Sequence, residues 1–72
     1  MDLRPFDALN GMKGKSILIE LKNGKQLSGK LQSFDIHVNL VINEMKELID
    51  GKVTRNIGNS FVSGDTVLWI SN

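Results

Sequence analysis

Asn23-Gly24 stands between two stretches that alternate between apolar and polar residues. Asn-Gly readily takes the left-handed conformations that a tight hairpin turn requires. On its N-terminal side, Ser16 to Leu21 puts Ile17, Ile19 and Leu21 on one face of a strand. On its C-terminal side, Leu27, Gly29, Leu31 and Ser33 alternate with Gln26, Ser28, Lys30 and Gln32. A period of two on both sides of such a turn predicts an antiparallel hairpin with one buried face. Gly29 in mid-strand predicts a sharp bend or a close backbone approach.

Other segments extend this pattern. Pro5 suits the first turn of a helix, where its missing N–H costs nothing. Leu3, Phe6, Leu9 and Met12, with Ala8, recur at helical spacing, and Gly11 and Gly14 end the run. The expectation is a helix of about two turns, too short to stand alone, with Phe6, Leu9 and Met12 packed on a sheet. After Phe34, Asp35-Ile36-His37 predicts a tight turn. Val38, Leu40 and Ile42 then alternate with Asn39, Val41 and Asn43. Glu44 to Asp50 is charged but holds Leu48 and Ile49, and Asp50-Gly51 is the next turn signal. Val53, Arg55, Ile57 and Phe61 mark one side of a long fourth strand, interrupted by Gly58. Ser63-Gly64-Asp65 is a further turn, and Thr66 to Ile70 a last short strand carrying Trp69. The expected fold is mostly β: a short N-terminal helix, then five strongly bent antiparallel strands in a small, partly open barrel of the SH3-like or OB-like kind. Residues 1–72 are expected to form one domain.

At 72 residues such a chain buries only roughly 60% of its unfolded surface, so its own core is marginal. Disulfides are excluded because there is no cysteine, and a structural zinc site is disfavoured by a single histidine. Oligomerisation is left as a source of further burial. The last two strands are rich in Val, Phe, Ile and Trp and carry neither proline nor edge lysine, which invites pairing with another chain. Ring closure through such edges would protect them; alternatively, the helix or a loop covers the edge within one chain. Trp69 is expected in the core or at a subunit interface. A net charge of +1 gives no bulk field for non-specific nucleic-acid binding, so such binding has to come from local pockets. No apolar run approaches the roughly 20 residues of a membrane span, and the start lacks the pattern of a signal peptide. A soluble, cytoplasmic protein without membrane contact is expected.

The densest polar cluster is Asp35-Ile36-His37-Val38-Asn39, which holds the only histidine. An asparagine carboxamide sets an acceptor beside a donor, which complements the N3–H and carbonyl of uracil when its orientation is fixed. Cytosine lacks that N–H. His37 offers a flat stacking face, and Gly64 in the other turn would permit close approach, with a backbone N–H of Gly64 or Asp65 meeting a carbonyl. Asp35 is expected to brace the turn, since a carboxylate repels phosphate. Asp35, Asn39 and Asp65 could equally do no more than satisfy turn amides. No nucleophile, metal set or phosphate loop accompanies Asp35 and His37, so catalysis is not expected and no cofactor is implied.

The run from Ile17 to Asn43, with Leu21-Lys22-Asn23-Gly24, Gly29 and Phe34-Asp35-Ile36-His37-Val38-Asn39-Leu40-Val41, resembles the first motif of Sm and Sm-like (Lsm) proteins. Arg4-Pro5-Phe6-Asp7-Ala8-Leu9 and Val62-Ser63-Gly64-Asp65-Thr66-Val67 are similar to the archaeal members. The resemblance covers nearly the whole chain, from about Arg4 to Ile70, in the family's order. It implies the Sm fold, and a ring in which the fourth strand of one subunit pairs with the fifth of the next. Archaeal members usually form homoheptamers, and the bacterial relative Hfq forms hexamers. It also implies that single-stranded, uridine-rich RNA binds at the inner rim. The residue matching His37 stacks on the base and the one matching Asn39 bonds its edge. The turn matching Ser63, Gly64 and Asp65 forms the other wall. Arg4 reaches RNA on the ring face in some archaeal members, though by itself it reads as a solvated charge.

One position departs from the family pattern. The second Sm motif normally has an arginine before the glycine, stacking on the opposite face of the base, and here that position is Ser63. Base stacking is worth roughly 1–3 kcal/mol, and losing the guanidinium side weakens binding by about 1 kcal/mol per site if nothing replaces it. Two readings follow: an RNA-binding ring, or a structural assembly ring whose RNA site is vestigial.

Overall fold

The computed structural model describes residues 4–72; Leu3, expected on the apolar face of the helix, lies outside them. Helix α1 spans Pro5–Met12, with proline in its first turn. It is followed by β1 (Ser16–Leu21), β2 (Gln26–Phe34), β3 (Leu40–Ile49), β4 (Lys52–Val62), a single 3-10 turn at Gly64–Thr66 and β5 (Val67–Ser71). The five strands form one antiparallel sheet in the order β4-β3-β2-β1-β5. Among the described residues, no helix is long and apolar enough to cross a membrane.

The helix exit is tied to β2. Gly14, at φ +82°, donates its N–H to the Leu31 carbonyl at 2.8 Å, and Leu31 returns its own to Lys15 at 3.0 Å. Leu9 is buried and Met12 packs against the core. Phe6 is 51% exposed, so the expected helix-to-sheet packing holds only in part for it. It packs against Phe34 in a T-shaped pair with ring centroids 5.2 Å apart.

The core follows the period-two pattern. Ile17 and Ile19 of β1, Leu27 and Leu31 of β2, and Leu40 and Ile42 of β3 are all buried. Burying a side chain of this size contributes about 1.5–3 kcal/mol. Gly29 supplies the anticipated close approach. A Cβ there would collide with Ile42 Cγ2 and lie 3.0 Å from the Asn43 carbonyl oxygen.

The sequence pattern breaks down in β3. Ile42 pairs with Ser60 but Met45 with Gly58, so β3 carries one extra residue. Glu44 takes φ +55° at this bulge and its N–H donates to Asn59 Oδ1 at 3.2 Å. A bulge exchanges the two faces of a strand, which is why Met45, out of step with Leu40 and Ile42, is buried. The charged stretch after Glu44 continues β3 to Ile49. It then turns through Asp50 (φ +52°) and Gly51 (φ +77°), both left-handed, as a two-residue hairpin turn demands. On β4 the core contribution comes from Val62, while Val53, Ile57 and Phe61 are exposed. Thr66 belongs to the 3-10 turn rather than to the last strand.

The sheet order leaves β4 and β5 as its two outer strands. Each exposes large apolar side chains, Phe61 (64% exposed) on β4 and Leu68 (57%) on β5. Strand β4 also carries Lys52 and Arg55, so the expected absence of an edge lysine does not hold for it. Trp69 is 38% exposed on β5 and lies outside the buried core cluster, so the expected core position does not hold for it.

Candidate nucleic-acid interface

The turn between β2 and β3 is built around one carboxylate. Asp35 Oδ1 accepts the backbone N–H of His37 at 2.9 Å and that of Asn39 at 3.1 Å. Asp35 Oδ2 accepts the Asn39 Nδ2–H at 3.0 Å. The Asp35 backbone closes the loop as well, its carbonyl accepting from Val38 at 3.0 Å and its N–H donating to Asn39 at 3.2 Å. The bonds from the Asn39 side chain and backbone, then those involving His37, hold the Asp35 carboxyl below the usual carboxylate range. Asp35 is therefore the brace that its position in the sequence suggests. The turn runs over Asp35–Asn39 and β3 begins at Leu40, two residues later than the alternation from Val38 implies.

Asn39 couples this turn to the second one. Its Oδ1 accepts the Gly64 backbone N–H at 2.9 Å while its Nδ2 donates to Asp35. These partners fix the carboxamide orientation on chemical grounds. A flipped amide would set oxygen against a carboxylate and nitrogen against an N–H donor. Among the described residues the bonds to Asp35 and Gly64 are the only ones of the Asn39 carboxamide, which leaves one Nδ2 hydrogen and one Oδ1 lone pair uncommitted. A carboxamide donor and acceptor are the group types that can pair with a base edge.

Gly64 serves a different purpose from the one expected. A Cβ there would overlap the His37 carbonyl oxygen and lie 2.9 Å from the Val38 carbonyl carbon. Its missing side chain lets the two turns touch, and its N–H is already bound to Asn39, which removes it as a direct donor to a base. The neighbouring turn is closed by the Ser63 carbonyl, which accepts the Thr66 N–H at 3.1 Å and the Thr66 Oγ1–H at 2.7 Å. Thr66 in turn accepts the Lys22 N–H at 2.7 Å, anchoring this segment to the end of β1.

His37 and Asp65 come together in a groove of about 330 Å3 whose other walls include Pro5, Leu9, Leu68 and Trp69. His37, Asp35 and Asp65 are exposed, and Asn39, Ser63 and Gly64 half-buried. Arg4 is exposed at the N-cap of α1, makes no capping bond and does not line this groove. A larger hollow, about 530 Å3, lies between the Asn23-Gly24 turn and the Asp50 end of β3. It contains the Lys25–Glu47 ion pair (3.7 Å) and no aromatic ring, so it offers nothing on which a base could stack.

Two features escape the sequence pattern. Val38 stands at φ +61°, an unfavourable conformation for a β-branched residue that costs about 1–3 kcal/mol. No residue type announces it. The apolar walls of the groove come from α1 and β5, and nothing in either segment points to the distant turn. A Pro-Phe start beside an aromatic last strand is the only hint.

The LSM domain family matches residues 7–72. An Sm-like snRNP protein of Methanococcoides burtonii is 41% identical over 71 residues, covering 99% of each chain. The Sm protein of Pyrococcus abyssii, solved in complex with a uridine heptamer, is 36% identical. It superposes with a TM-score of 0.91 over 96% of this chain and 97% of its own. A heptameric Sm-like protein of P. aerophilum is 37% identical, with a TM-score of 0.88 over 99% of this chain and 95% of its own. The bent five-stranded sheet behind an N-terminal helix, the braced Asp35–Asn39 turn and these similarities agree: the chain belongs to the LSM domain family of Sm-like proteins.

Proposed function

We propose that the chain closes into a homo-oligomeric ring, a heptamer rather than a hexamer, that binds single-stranded, uridine-rich RNA at its inner rim. Its role is binding, not catalysis, in cytoplasmic RNA processing or metabolism. The observation that carries this reading is the Asn39 carboxamide, locked between Asp35 and Gly64 with one donor and one acceptor left without a partner among the described residues. His37 stacks on the base and Asn39 reads its edge. Asp35 holds Asn39 in place, while Ser63, Gly64 and Asp65 form the facing wall. Arg4 stands outside this pocket, free to meet RNA on the helix side of the ring.

Assembly is supported by the exposed apolar side chains on the two outer strands, Phe61 on β4 and Leu68 on β5, which a ring would pair with each other across subunits. The heptameric P. aerophilum protein supports the subunit number, and the uridine heptamer bound to the P. abyssii protein supports the ligand. Each pocket alone is weak, and a ring lets several act on one strand, so that avidity supplies the affinity.

The test is a titration of labelled oligouridine, oligoadenosine and oligocytidine at two salt concentrations, with light scattering to measure ring size. The expected outcome is a uridine preference that His37→Ala and Asn39→Ala each reduce without altering the size. No uridine preference would leave the assembly ring, with Ser63 marking a lost RNA site, as the correct reading. A monomer would remove the ring itself.

A further inference from the structure

We infer that the RNA-binding form of this site is the one with His37 protonated, so that uridine-rich RNA binds more tightly as the pH falls through the imidazole range. The inference rests on the proposed RNA site and concerns its regulation.

The argument starts from charge at the pocket. Among the described residues, His37 and Asp65 are the titratable groups that line the groove. Asp35 sits within the His37 turn, its carboxylate bonded to the His37 backbone N–H. That carboxyl is held below the usual range, so it stays ionised where imidazoles titrate. Ser63, the residue before Gly64, has no charge. The elements packed around the pocket add Arg4 and Asp7 on α1 and Lys22, whose backbone holds the Thr66 carbonyl. Strand β5 contributes no ionisable side chain. The fixed charges therefore sum to a negative value, and a ring repeats them around its rim. A polyanion entering the groove meets the Asp65 carboxylate with no guanidinium in the groove lining, Arg4 standing outside it.

Protonating His37 changes this in two ways. It adds a cation beside the two carboxylates, and it makes the stacking ring a planar cation, which attracts the π-face of a base more strongly than neutral imidazole does. The imidazolium thus supplies the charge that Ser63 lacks. The sign follows from linkage. If RNA favours the imidazolium, the bound state holds its proton to higher pH than the free state. Binding then takes up protons, and affinity rises as pH falls, levelling off below the free-state value.

The experiment is fluorescence anisotropy with an oligouridine lacking terminal phosphates, at pH 5.5, 6.5 and 7.5 and constant ionic strength, with light scattering confirming the same ring size throughout. An oligomer spanning several pockets is expected to bind about tenfold or more tightly at the lowest pH than at the highest. His37→Phe keeps a flat ring but takes no proton, and should lose the pH slope. Ser63→Arg supplies a permanent cation, and should bind more tightly at pH 7.5 with a shallower slope. Because His37 is the only histidine, its imidazole C–H resonance can be followed directly and should titrate at higher pH with RNA bound. Uridine preference with the same affinity at all three pH values would overturn the inference and leave the RNA site standing. A slope that survives in His37→Phe would also overturn it, by assigning the proton to another group. Absence of uridine preference at every pH would remove both the inference and the site on which it rests.

Discussion

The two turns that meet at the candidate pocket are held in opposite ways. Asp35–Asn39 is organised from within: one carboxylate accepts three hydrogen bonds from its own turn. Ser63–Thr66 has one internal carbonyl as its hub and is otherwise positioned from outside, by Asn39 at Gly64 and by Lys22 at Thr66. The first turn is a local structure that the sequence can specify within five residues. The second is placed by tertiary contacts, and its position reports on whether the first is correctly formed. Base recognition at such a site requires the first turn to be rigid and the second to follow it.

The sharpest way to break this relation is at the contact between the turns. In Gly64→Ala the new methyl would meet the His37 carbonyl oxygen and the Val38 backbone. Backbone on both sides cannot yield as a flexible side chain can, so the turns must separate and the Asn39–Gly64 bond must break. A loss of about 2–4 kcal/mol in unfolding free energy is expected, measured by denaturant titration. A variant within 0.5 kcal/mol of the parent, about the scatter of neutral surface changes, would show that the second turn can move independently.

A gentler change tests the internal order of the first turn. Asp35→Asn can keep an oxygen for the His37 and Asn39 backbone N–H groups, but its amide nitrogen then faces the Asn39 Nδ2. Two donors cannot share that contact, so the Asn39 carboxamide loses its fixed orientation while the chain path survives. Uridine affinity should fall about five- to tenfold, the worth of one hydrogen bond (about 1 kcal/mol), with ring size unchanged. Uridine preference equal to the parent's would mean that Gly64 alone orients Asn39.

The contrast between the turns also explains what could be read in the sequence. Ile17, Ile19, Leu27, Leu31, Leu40 and Ile42 follow an uninterrupted period of two and are legible as core. Asp35 is legible as a brace because its partners are its near neighbours. Met45 is not, because the bulge at Glu44 exchanges faces after Ile42 and no glycine marks it. Gly64 reads as a place for ligand approach because its real neighbour, the His37 carbonyl, lies far away in sequence. The likeness of this chain to Sm-like proteins singles out His37 and Asn39 together; residue chemistry alone leaves them as either a pocket or a well-satisfied corner.

The smallest expected effect concerns the residue between those two. Val38 is partly buried against the core, and is left-handed at φ +61°. Replacing it with asparagine removes apolar contact, a loss of about 1–2 kcal/mol for a half-buried side chain. It also relieves backbone strain of about 1–3 kcal/mol, because asparagine tolerates this conformation. These terms oppose each other, so Val38→Asn should lie within about 1 kcal/mol of the parent in unfolding free energy. An ordinary polar substitution at a core-contacting valine would cost more. A loss above about 2 kcal/mol would show that packing outweighs the strain, and that Val38 anchors the turn to the core. A neutral or stabilising result would identify the left-handed valine as strain that the three bonds to Asp35 hold in place.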